Sequence, residues 1–108
     1  MNPLLPAARK PPTPHQLIFG LIRSFPCLEI KVGPWLRRTA HFDPDEFWAL
    51  FDCASSGERL CALFVLNVWS HGYADTKGWR FDFIAFIGCA DSGNREALLA
   101  WAAKPFWP

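Results

Sequence analysis

From residue 15 onward, apolar positions recur at helical intervals, and polar or proline positions punctuate them. In HQLIFGLIRSF (15–25), Leu17, Ile18, Leu21, Ile22 and Phe25 form one stripe, and Pro26 halts it. The period then changes. In CLEIKVGPWLRRT, Leu28, Ile30 and Val32 alternate with polar neighbours, and Gly33-Pro34 reads as a turn. This predicts a short extended or β piece near 28–36.

The strongest start signal is HFDPDEFW. Asp43 suits an N-cap, Pro44 the first helical position, and Glu46 completes a D-x-x-E capping box. Phe42 before the cap and Phe47 after it form a hydrophobic staple. A helix over 44–54 follows. Ser55 and Glu58 repeat the logic and open a second helix to about residue 70, apolar on nearly every side and therefore central. Gly72 is expected to end it.

WRFDFIAFIGCA (79–90) fits two periods. Its aromatic and Ile content suits a strand, while Phe83, Phe86, Ile87 and Ala90 fall at helical spacing. The helical reading is preferred because alternation fails at Ile84 and Phe86. DSGN then caps REALLAWAAK, a good helix former stopped by Pro105.

These elements predict a mainly α fold. It is a compact bundle of four to five short helices around a buried central helix at 56–70, plus the extended piece. The alternative is α+β, with 28–33 and 80–88 pairing as strands. Residues 1–14 hold five of the ten prolines and read as an extended arm, leaving 15–108 as one globular domain.

Composition sharpens the picture in two ways. Six Trp and ten Phe against one Tyr supply much ring surface with few polar handles, so some of it is expected to stay exposed. Cys27, Cys53, Cys61 and Cys89 show no paired spacing, which predicts reduced thiols, no structural zinc and a cytoplasmic setting. No signal segment is legible at the start, and the longest apolar run, LCALFVLNVW, is half a membrane span. No membrane association is expected.

Charge is split along the chain. Residues 1–41 carry +5, and residues 42–108 carry −4. The simplest expectation is that the halves neutralise each other on folding.

Candidate chemistry is thin. His41, Asp43, Asp45 and Glu46 cluster, but the two capping residues already have structural work, and acids in a first turn complement the helix dipole. His71 follows a predicted helix end, where a histidine often caps. Phosphate-cradling glycine motifs and nucleophile elbows are absent, so no enzyme and no cofactor are expected. The best binding patch is GPWLRRTAH, where Trp35, Arg37, Arg38 and His41 put an aromatic ring beside cations. A second candidate is the closing KPFWP. Phe106 and Trp107 are expected to plug the domain's own core or to anchor a partner.

The function these features suggest is a small binding or regulatory protein acting through a protein partner or self-association. The rival reading is nucleic-acid binding through the basic 23–38 region, which the near-zero net charge disfavours.

Overall fold

The computed structural model describes residues 10–108 and is mainly α. In chain order the helices are α1 (Pro14–Ser24), α2 (Pro26–Arg38), α3 (Pro44–Ala49), α4 (Ser56–Trp69), α5 (His71–Thr76), α6 (Phe83–Cys89) and α7 (Ser92–Ala103). The proline-rich arm lies outside the described residues over 1–9. Its last residues already belong to the fold, because Thr13 caps α1 in a capping box with Gln16.

The extended piece expected near 28–36 is helix α2, and this overturns the alternation reading. Leu28, Ile30 and Val32 are spaced by two, but Leu28, Val32 and Leu36 are spaced by four. The latter three are buried, while Ile30 is 81% exposed. Gly33-Pro34 does not turn. Pro34 sits inside the helix, and the ring that normally strikes the preceding residue's Cβ meets none at Gly33. Burial of the Leu28–Val32–Leu36 stripe offsets the lost donor, whose absence costs about 3 kcal/mol in an ordinary helix interior. The alternative pairing of 28–33 with 80–88 fails with it, since both segments lack strand and 83–89 is α6.

Only Phe25 separates α1 from α2, and it is fully buried at the joint. Having no side-chain cap, the start of α2 borrows one from α7. The Cys27 N–H donates to Asn94 Oδ1 at 3.3 Å, while Asn94 Nδ2 donates to Asp91 at 2.9 Å. The approach is close enough that a Cβ on Gly93 would meet Pro26 Cγ at 3.1 Å, so the position has no room for a larger residue without movement.

Helix α4 is the central element, packed against α1, α2, α5 and α6. Cys61, Ala62, Phe64, Val65, Leu66 and Val68 are buried along it, as its all-round apolar sequence requires. Its Ser55–Glu58 capping box forms in full, with both hydrogen bonds present.

Three boundaries and one cap differ from expectation. Helix α3 stops at Ala49 rather than 54, because Arg59 of α4 takes the carbonyls of Phe51 and Asp52 and holds 50–53 as turns. Glu46 does not close the box with Asp43, because its carboxylate accepts the Trp35 indole N–H instead. Ser70, not Gly72, ends α4, its side chain capping α5 at the Tyr73 N–H. The helix expected across 80–90 begins only at Phe83, where Asp82 caps it. The Phe42–Phe47 staple forms as expected, with ring centroids 5.2 Å apart.

Candidate functional site

The residues read as a binding patch do not act as a unit. Trp35 is half-buried, with its ring 5.9 Å from Phe47, 6.4 Å from Phe42 and 6.5 Å from Phe19. It belongs to the core. Arg37 and Arg38 are exposed in the last turn of α2, and neither pairs with Asp43, Asp45 or Asp52. Arg23 precedes α2, so the length of that helix, about 20 Å, separates it from Arg37. Lys31, between them, lies over the Phe51 ring at 5.9 Å. The basic residues of 23–38 therefore form no continuous stripe.

His41 stands edge-on to His15 with ring centroids 4.9 Å apart. His15 in turn accepts the Phe42 N–H at 2.8 Å through Nδ1, which ties α1 to the segment entering α3. The acidic cluster is fully engaged in the fold. Asp43 accepts the N–H groups of Asp45 and Glu46, while Asp45 accepts the Tyr73 hydroxyl at 2.6 Å and pairs with Lys77 at 3.0 Å. The Tyr73 hydroxyl bond, then the Lys77 ammonium, hold the Asp45 carboxyl below its usual range, and the Asp45 carboxylate in turn pushes the Tyr73 hydroxyl and the Lys77 ammonium up.

The four cysteines are free thiols. The fold brings Cys61 of α4 to Cys27 of α2, a meeting that their spacing along the chain does not reveal. The hydrogen bond from the Cys61 thiol lowers the Cys27 pKa, and the same contact with burial pushes Cys61 up. Among the described residues no group of histidines, cysteines and carboxylates is arranged to hold a metal ion.

The tail contributes to a concave site. Phe106 packs against the core, and its carbonyl accepts the Trp101 indole N–H at 3.1 Å. Trp107 remains 67% exposed and meets Trp101 edge-on at 5.3 Å. Phe106 therefore packs on the core as expected of a plug, whereas Trp107 departs from that expectation and stands mostly in solvent. Beside Trp107 opens a cleft of about 440 Å³, reached by Phe64 and Asn67 of α4, Asp75 of α5, Arg80 of the segment before α6, and Trp101 of α7. His71, the first residue of α5, also lines it, so it is no cap of α4.

A second exposed feature is α6. Phe83, Ile84 and Ile87 are 49%, 77% and 38% exposed, while Phe86 alone in this helix is buried. Sequence reasoning singled out Trp107 but not the cleft beside it, and it missed the exposed face of α6. A Trp or Ile in an aromatic-rich chain signals burial, and only the finished packing shows which rings the core had no room for.

Among the described residues no helix is long and apolar enough to cross a membrane. Compared with known proteins, the chain matches no family model, no curated protein and no solved structure.

Proposed function

We propose that this chain is a small non-enzymatic binding protein that acts through protein–protein contacts, with α6 as its contact surface. The observation that carries the reading is the exposure of Phe83, Ile84 and Ile87 on one seven-residue helix. Ile87 lies three residues after Ile84 and four after Phe83, so it sits between them on one side of the helix. Apolar side chains exposed together are enriched where another protein removes them from water. A cytoplasmic setting belongs to the same proposal and is supported by the four free thiols.

Ile84 is the position to test, because its side chain is almost wholly in solvent and its replacement spares the core. Sedimentation of the purified chain at rising concentration reads self-association, and a photocrosslinker at 84 reads a separate partner, with exposed Glu96 as the control position. An oligomer that Ile84→Glu dissolves, or a crosslink formed from 84 and not from 96, supports the reading. A monomer that crosslinks equally from both positions overturns it.

Nucleic-acid binding through 23–38 has weaker support, given the distance between Arg23 and Arg37 and the engagement of Lys31 with Phe51. It requires an affinity that falls steeply with salt and that Arg37→Gln with Arg38→Gln abolishes.

A further inference from the structure

The cleft beside Trp107 holds two opposite charges that the fold leaves over. Asp75 and Arg80 both line it, and neither forms an ion pair among the described residues. Their neighbours are rings of Phe64, Trp101 and Trp107. The Phe64 and Trp101 planes cross at 86° and those of Trp101 and Trp107 at 79°, so the walls present faces and edges to the same space. Asn67 adds a directional group. Its Nδ2 donates to the carbonyls of Leu63 and Trp79, each at 2.9 Å, which uses both amide protons and leaves the Oδ1 of this cleft-lining residue as an acceptor.

We propose that this cleft binds a free α-amino acid with an aromatic or large apolar side chain. Asp75 and Asn67 Oδ1 take its ammonium group, Arg80 takes its carboxylate, and its side chain lies against Trp101 and Trp107. Charge selects the class. A simple cation would meet Arg80 and a simple anion would meet Asp75, whereas a zwitterion satisfies both. Size agrees, since about 440 Å³ falls within the range of small-molecule sites and is too small for a folded partner. The site shares no residue with the α6 surface, and either reading stands without the other.

Isothermal titration calorimetry of the full chain tests the proposal with three probes. They are L-phenylalanine, phenethylamine, which lacks the carboxylate, and N-acetyl-L-phenylalanine, which lacks the ammonium group. L-Phenylalanine is expected to bind with a Kd of about 1 mM or tighter, and each analogue about tenfold more weakly or worse. Asp75→Asn and Arg80→Gln, both at exposed positions, should keep the melting temperature and each weaken L-phenylalanine by a similar factor. Arg80→Gln should not weaken phenethylamine binding, because that probe lacks the group Arg80 holds and is itself a cation that Arg80 repels. No heat with L-phenylalanine up to about 10 mM overturns the proposal. So does an analogue that binds as tightly as the amino acid, or a pair of variants that binds it as tightly as the original chain.

Discussion

The Trp35 indole N–H donates to the Glu46 carboxylate at 2.6 Å, and this contact fastens α3 to α2. It explains two departures from the sequence reading together. Trp35 is drawn into the aromatic cluster with Phe42 and Phe47 instead of standing free, and Glu46 leaves the capping of α3 to Asp43 alone.

Trp35→Phe keeps a ring in the cluster and removes this donor. It should cost about 1–2 kcal/mol, combining one charge-assisted hydrogen bond with some lost ring area. Urea denaturation measures it. A variant with unchanged stability would mean the bond adds nothing beyond what Glu46 gains from water.

Asp45 gives the fold a pH-dependent strap between α3 and α5. Its folded pKa lies below 3.8 because the charged form accepts from Tyr73 and pairs with Lys77. The stabilisation is therefore complete above the unfolded value and is lost as pH falls through the folded one. The stability difference between the chain and Asp45→Asn should be constant near neutral pH and vanish in acid. A difference that persists below about pH 2, well under the unperturbed carboxyl value, would contradict this.

The thiols should separate by burial under native alkylation. Cys53 and Cys89 are exposed and should label first, and Cys61, fully buried with its pKa raised, should label only on unfolding. Mass spectrometry of quenched time points follows the order. Equal rates for Cys61 and Cys53 would show that α4 opens far more readily than a central helix should.

The two tail residues should differ in what they contribute. Phe106→Ala removes a ring packed on the core and should cost about 1–2 kcal/mol, while Trp107→Ala should cost under about 0.5 kcal/mol. Thermal melts of both variants decide it. A Trp107 loss as large as that of Phe106 would place both rings in the core.

The cap at Asp43, the box at Ser55 and Glu58, the Phe42–Phe47 staple and the apolar circumference of α4 were all determined by the sequence alone. Each rests on groups within five residues of one another, or on one helix's own composition, so no distant partner is needed to form it. The period of 28–36 was undecidable locally. Residues two and four apart include the same Leu28 and Val32, and only the neighbours that bury Leu36 and leave Ile30 in water select the helix. Glu46 had a local partner and took a tertiary one, because the Trp35 indole arrived with a buried ring behind it. The Cys27–Cys61 contact and the cleft that joins Asp75, Arg80, Asn67 and Trp107 come from separate helices and the tail. Their meeting depends on how the helices and tail dock around α4, which follows from how the summed side-chain volumes fill one core and from no stretch of sequence taken by itself.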